Sequence, residues 1–498
     1  MVVIKPDRVG PFPFPKSDPE ERKGDFSEVE QPYTKEQVML EADRCLRCGT
    51  PVCIDACPVQ LDVRGMMDAV ANGDFQSAYR RIRETNPLLG VTARCCPQLQ
   101  GLCEDACVVR WGGQPLSIGM VQRFVADWEQ NESRQSDPES EPPTGKRVAV
   151  VGAGPAGIAA AELLLRYGHS VTVYEESQDL GGTAWYGIPD YHLPKAVLTY
   201  EAERIVAQGA TVRRGVKVGR DISITALLSD SDVVLVATGS RDVKKLNTPG
   251  SDLDGVLDGY EFLREVYGDG LESYLKGRRR DLGQDILVVG GGDTALDCAR
   301  TALRLTQGRV TILYRRDEKE MPADPIMVKE AQEEGVEFKF LSDPSKYLGD
   351  GGKLAGATLQ AMQLGAADAT GRKHPEPIPG ETDDVKCDSV ILAVGRGPDS
   401  FLVKKEGLKS GPKGAIVIDE RYMTSVAKVF ATGDATTGET LVVKAMGHGR
   451  EAAQRVHEYL MGLEDRHLSL YEKYYTERTT EDAYQDMLDG KEEELPPD

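Results

Sequence analysis

The stretch CLRCGTPVCIDACPVQ sets Cys45, Cys48, Cys53 and Cys57 at the spacing C-x2-C-x4-C-x3-C and follows the last with Pro58. Four thiols this close along a chain can hold a metal centre. They are too many and too tightly spaced for a single zinc knuckle, which remains the alternative, and the run resembles the ferredoxin type. In two-cluster ferredoxins the cysteine before the proline ligates the other cluster, and a proline there turns the chain away from the helical region. A second group, RCCPQLQGLCEDAC, brings Cys95, Cys96, Cys103 and Cys107. Eight of the ten cysteines thus lie between Cys45 and Cys107, a density that favours metal binding over disulfides in a large chain. Cys298 and Cys387, outside the groups, are expected to be buried core thiols.

Two glycine loops carry a different chemistry. Gly152, Gly154 and Gly157 form G-x-G-x-x-G directly after the apolar run VAVV. The first glycine permits the tight turn, the second lets backbone approach a pyrophosphate, and the third lets helix and strand pack closely. The phosphate then lies at a helix N-terminus, where unpaired N–H groups and the dipole favour an anion. The next strand, SVTVYE, ends in Glu175, 23 positions past Gly152, where a carboxylate can accept the ribose hydroxyls of an adenosine. The second loop holds Gly290, Gly292 and Ala295 after ILVV, with Asp293 and Thr294 opening its helix. Its second strand, VTILYRR, ends in Arg315 and Arg316 instead of an acid. A carboxylate there would repel a 2'-phosphate, whereas guanidinium groups bind one through bidentate, charge-assisted hydrogen bonds. The two loops therefore predict FAD in the first and NADPH in the second. VFATGDA places Asp434 after a strand, and TLVVKAMGHGREAAQRVHEYL follows with a helix whose N-terminus can carry a flavin. GGTAWYGIPDYHLPK, which contains Gly182, is expected to line the flavin and cluster side, with His192 in a structural role. No acid or base is assigned, because hydride and electron transfer need alignment above all.

These residues require elements to position them. A chain of 498 residues divides into about three domains. Residues 1–34, rich in proline and charge, read as an extended arm. Residues 35–130 read as a small helical module holding all eight clustered cysteines. Thr34 is a candidate N-cap with Glu36 and Gln37 in the first turn; Phe75, Ala78, Tyr79 and Ile82 repeat at helical spacing, as do Val121, Phe124, Val125 and Trp128. Residues 131–145 have no hydrophobic pattern and read as a linker. Strand, glycine turn, helix and strand then occur twice, so residues 146–282 and 385–462 are expected to form a flavin domain interrupted by a nucleotide domain at 283–384. The turns LVATGS and ILAVGRGPD bracket that second domain. Residues 463–498 form an acidic tail. The net charge of −21 argues against a nucleic-acid partner. No apolar run reaches the roughly 20 residues of a membrane span, and the N-terminus lacks the features of a signal peptide, so a cytoplasmic protein is expected.

From residue 35 to about 462, the motifs GGGDTALDCARTALR, YRRDEKEMPA and GIPDYHLPK with the double cysteine region resemble the small (beta) subunit of NADPH-dependent glutamate synthase. The family includes the large subunit of ferredoxin:NADP oxidoreductase, the sulfide dehydrogenase flavoprotein and the N-terminal half of dihydropyrimidine dehydrogenase. IRETNPLLG and SIGMVQRFVADW look nearer the ferredoxin-linked and sulfide dehydrogenase members. The resemblance implies an α/β fold with two Rossmann-like, glutathione-reductase-like domains, preceded by a small α-helical ferredoxin-like iron–sulfur domain. It gives one [4Fe-4S] cluster to Cys45, Cys48, Cys53 and Cys107, and a second to Cys57, Cys96 and Cys103 with Gln122 as the fourth ligand. Six residues separate Cys96 from Cys103 where most members have five, and Cys95 could replace Cys96. It further implies that electrons pass from NADPH through FAD and both clusters to a partner, either the glutamate synthase large chain or a ferredoxin-type small subunit. A non-catalytic nucleotide sensor is the reading from another class; the intact glycines, Arg315, Arg316 and the clustered cysteines argue against it.

Overall fold

The computed structural model describes residues 15–132, 138–244, 247–277, 279–367, 371–411 and 413–463; most of the acidic tail lies outside them. The expected arm is, from residue 15, a strap. A short helix, Pro19–Arg22, sits on Asp18 as N-cap, and Arg22 is buried with its Nε donating to Glu334 at 3.0 Å. Val29 N–H donates to the Tyr191 carbonyl at 2.9 Å. Burying that guanidinium against a carboxylate of the nucleotide domain pins the segment down.

The helical module forms as its sequence dictates. Helix Lys35–Asp43 carries a capping box in which Thr34 accepts from Gln37 N–H and the Gln37 side chain accepts from Thr34 N–H, satisfying two otherwise orphaned donors. Asp62 and Asp74 cap helices Val63–Ala71 and Phe75–Arg83. Phe75, Ala78, Tyr79 and Ile82 are all buried, one stripe at i, i+3, i+4 and i+7. Phe75 meets Phe124 edge-on at 5.1 Å and Trp128 at 5.7 Å, both from helix Ile118–Glu132. Val38, Met66 and Val121 of this module share one hydrophobic cluster with Val148, Val150 and Phe430 of the first sheet.

That sheet has five parallel strands in the spatial order Val429–Ala431, Val233–Val236, Arg147–Val151, Ser170–Glu175, Thr211–Arg214. The second, also parallel, runs Val256–Asp258, Ser389–Leu392, Asp285–Val289, Arg309–Tyr314, Glu337–Phe340. Strands buried on both faces read as unbroken apolar runs, as VAVV and ILVV do. The second sheet corrects the expected limits of 283–384, because it draws a strand from each side of that range. The chain crosses between the domains through Ser240–Val243 and Arg396–Pro398, which pair as a two-stranded antiparallel ribbon. A three-stranded antiparallel sheet of Ser342–Asp350, Lys353–Ala367 and Lys373–Lys386 is built onto the nucleotide domain. Cys298 and Cys387 are buried, in keeping with core thiols. Among the described residues no helix is long and apolar enough to cross a membrane.

Candidate functional site

The first glycine loop is shaped by contacts no side chain could survive. Gly152 has φ +105°, and a Cβ there would lie 2.4 Å from the Ala237 carbonyl oxygen; one on Gly157 would lie 2.0 Å from that of Gly152. A Cβ on Gly154 would meet nothing within 4 Å, so this glycine faces open space. Gly154 also caps helix Pro155–Arg166 without a side-chain acceptor, which leaves the first N–H groups to an anion. Glu175 is buried at the cleft wall, its Oε2 accepting from Ala153 N–H at 2.8 Å and its Oε1 from Ser177 N–H at 2.9 Å. Each carboxylate oxygen has a second lone pair for a ribose hydroxyl. Gly182 stands opposite, φ +53°, with the place of its Cβ 2.9 Å from Gly154 Cα. Asp434 lines the same cleft with a buried Oδ1 that finds no protein donor. Burial, with Glu439 adding repulsion, pushes its carboxyl up to about 7. Helix Val442–Met461 closes the cleft, crossing so near that a Cβ on Gly449 would lie 2.2 Å from the Ala156 oxygen. A glycine cradle, a bare helix N-terminus and an orphaned acceptor fit a dinucleotide in this cleft.

The second loop repeats the pattern. Gly290 has φ +150° and the place of its Cβ is 2.3 Å from the Ala393 oxygen, whereas Gly292 faces open space and caps helix Asp293–Thr306 without a side-chain acceptor. Ala295 fits at the third position, fully buried. The Tyr314 ring covers the loop, 2.4 Å from where a Cβ on Gly291 would stand. Asp293 Oδ1 accepts from Asp324 N–H at 2.8 Å. Arg315 is exposed at the strand end, and Arg316 Nε donates to the Lys373 carbonyl at 2.8 Å.

The cysteines fall into two adjoining groups, with Cys103 within electrostatic reach of Cys53 across them. Cys45, Cys48, Cys53 and Cys107 lie within electrostatic reach of one another, and Cys57 within reach of Cys96 and Cys103. Cys57, Cys96, Cys103 and Gln122 line one small cavity. Gln122 Nε2 donates to the Leu89 carbonyl at 2.6 Å and to Thr92 Oγ1 at 2.7 Å, which leaves its carbonyl oxygen as the atom able to act as a ligand. Cys95 lines the larger cavity beside Asp297 instead. Burial raises all of these thiols above their ordinary value, the expected state of apolar, uncharged thiols before a metal takes them as thiolates. Among the described residues no three His, Cys, Asp or Glu side chains converge closely enough for a single ion; the fit to clusters rests on the donor set, four thiols in one group and three with an amide in the other.

One cavity joins the parts: Cys96, Thr183, Ile188, Asp293, Thr294, Arg396 and Thr440 all line it. Thr183, Ile188, Tyr260, Arg396, Thr440 and Val442 border the cleft of the first glycine loop too. Sequence reasoning missed Arg396, whose guanidinium lies 3.7 Å from the Tyr260 ring centroid, and Glu201, which accepts from Gly90 and Val91 N–H at the start of the helix that carries Cys95 into Cys96. His192 Nε2 lies 2.9 Å from the Arg94 carbonyl, and burial holds its ring below the ordinary value. It ties the GIPDYHLPK loop to that same helix.

Two dinucleotide clefts facing a cysteine-rich module define a flavin-type oxidoreductase with an iron–sulfur domain. The pyridine nucleotide-disulphide oxidoreductase family matches residues 146–449, and the family described as dihydropyrimidine dehydrogenase domain II, 4Fe-4S cluster, matches residues 22–134. The NADPH glutamate synthase small chain of Azospirillum brasilense is 36% identical over 88% of this chain and 92% of its own length; that of Escherichia coli K12 is 35% identical over 90% and 96%. Mycobacterium tuberculosis FprA in complex with NADPH shares the fold, with 18% identity and a TM-score of 0.54 over 70% of this chain and 90% of its own. The chain belongs to the pyridine nucleotide-disulphide oxidoreductase family, in the group of NADPH-dependent flavin and iron–sulfur enzymes that contains the glutamate synthase small chains.

Proposed function

We propose that the protein passes hydride electrons from NADPH through FAD and two [4Fe-4S] clusters to a partner subunit, and that the partner is a glutamate synthase large chain. The shared cavity carries this reading, because residues from the flavin cleft, the second glycine loop and the smaller cysteine group all line it. Gly152, Gly154, Gly157, Glu175, Gly182 and Asp434 would hold FAD, and Gly290, Gly292, Asp293, Thr294, Arg315 and Arg316 would hold NADPH. Cys45, Cys48, Cys53 and Cys107 would hold one cluster; Cys57, Cys96, Cys103 and Gln122 would hold the other. Bound FAD supplies the exchange between a two-electron hydride donor and one-electron acceptors. The chain contributes alignment: two bare helix N-termini fix the pyrophosphates, Arg396 on Tyr260 shapes the passage between the clefts, and Leu392, Val394 and Val442 give it an apolar wall.

Anaerobic reconstitution tests this directly. The protein should bind about eight irons, by the four-iron stoichiometry of each cluster, and NADPH should bleach its flavin faster than NADH. Mixed with a large chain, it should restore glutamine-dependent NADPH oxidation. About four irons would remove the second cluster. Failure of the large chain to bind or to restore that activity would pass the acceptor role to a ferredoxin- or sulfur-linked subunit.

A further inference from the structure

The strand-end arginines do not stand alone. Lys373–Lys386 forms a hairpin with Lys353–Ala367, and Arg372 and Lys373 at its start lie against the end of strand Arg309–Tyr314. Arg372 Nη2 donates to Tyr314 Oη at 3.0 Å and to the Glu320 carbonyl at 3.5 Å. Tyr314 Oη itself donates to that carbonyl at 2.8 Å. Lys373 N–H donates to Glu320 Oε2 at 3.3 Å, and the Lys373 carbonyl receives Arg316 Nε. Tyr314 is the residue just before Arg315, and its ring covers Gly291 of the glycine loop. A half-buried guanidinium is thus anchored one side chain away from the loop that takes the dinucleotide, on the side where the strand-end arginines emerge.

We propose that Arg372 is a specificity-determining residue, joining Arg315 and Arg316 around the 2'-phosphate of NADPH. This rests on the reading of the second cleft as the NADPH site. A phosphate monoester offers three acceptor oxygens, more than one guanidinium can cover, and a guanidinium carries five donors in a rigid fork suited to two of those oxygens. Arg316 is already turned toward the hairpin by its bond to the Lys373 carbonyl, so a phosphate placed at the strand end lies between strand and hairpin. The hairpin therefore reads the phosphate as well as supporting the strand.

The test uses the reconstituted holoenzyme with ferricyanide as acceptor, and calorimetric titration with 2',5'-ADP and with 5'-ADP. R372Q should raise the KM for NADPH about tenfold or more, the equivalent of one lost charge-assisted contact. It should leave kcat and all NADH kinetics unchanged, weaken 2',5'-ADP by a similar factor and leave 5'-ADP unaltered. R372K, which keeps the charge without the fork, should lose part of the effect. Equal losses with NADPH and NADH, or no loss with either, would reduce Arg372 to a hairpin staple and overturn the proposal. R315E and R316E separate the two levels. If they weaken NADPH selectively and R372Q does not, only the hairpin's role falls; if they too leave NADPH untouched, the reading of the cleft falls with it.

Discussion

At the scale of residues, what was legible in the sequence was what backbone geometry demands of a single position. Gly152, Gly157 and Gly290 are required because a Cβ there would overlap a carbonyl oxygen, and such a requirement leaves a pattern even in one sequence. Arg372, Arg396 and Glu201 left none, since their partners are distant in the chain and their side chains are ordinary surface types. Gln122 lies between: its helix face was readable, but its place beside Cys57, Cys96 and Cys103 comes from packing. Q122A should bring the iron content from about eight to about four with loss of one cluster's electron paramagnetic resonance signal; unchanged iron and signal would free Gln122 of that role. Asp434 gives a pH test on the flavin-free protein. Its carboxyl is raised from 3.8 to about 7 in the fold, so the folded state loses stability as pH rises through that interval and keeps it below. D434N should therefore melt higher than its parent at about pH 8 and show no such gain at about pH 4; an equal gain at both would remove titration of Asp434 as the cause.

At the scale of elements, the helices of the module were legible and the antiparallel sheet was not. Period and caps agree in Phe75–Arg83, where an apolar stripe follows an aspartate cap. By the cost of emptying a packed aromatic site, F75A should destabilise the protein by about 3–5 kcal/mol, and T34A, which removes one cap, by about 1 kcal/mol. Denaturant titration checks both, and near-equal losses would contradict the packing described for Phe75. Lys373–Lys386 instead contains His374, Pro375, Glu376, Pro377, Pro379 and Gly380 and is mostly exposed. Prolines and glycine weaken a strand signal and are tolerated at an edge, so only pairing with Lys353–Ala367 shows what the segment is. The nucleotide-domain limits went astray for a related reason. Val256–Asp258 is three residues long, too short to show a period, although the turns LVATGS and ILAVGRGPD fell close to where the chain crosses between domains.

At the scale of the whole molecule, the strap and the ribbon decide how the parts are joined. Arg22, Arg300 and Arg304 all bond Glu334 in the interior, and the Arg300 and Arg304 guanidinium groups outweigh burial, holding its carboxyl at about 2, below the ordinary 4.5. The stability this gives is present above about pH 4.5 and is lost as pH falls toward 2. R22A leaves Glu334 paired with Arg300 and Arg304, so it should cost about 1.5–3 kcal/mol, the loss of a hydrogen bond to a charged group, with cleavage near residues 15–30 rising in limited proteolysis at neutral pH; an unchanged cleavage pattern would show that the strap is held elsewhere. The ribbon of Ser240–Val243 against Arg396–Pro398 alone would make a hinge, a single axis about which the nucleotide domain could swing. The strap adds a second fixing point, reaching from the cysteine module to Glu334. A door with a hinge and a stay opens only as far as the stay allows, so admitting a nucleotide either strains the Arg22 anchorage or moves the iron–sulfur module in step with the domain that receives it.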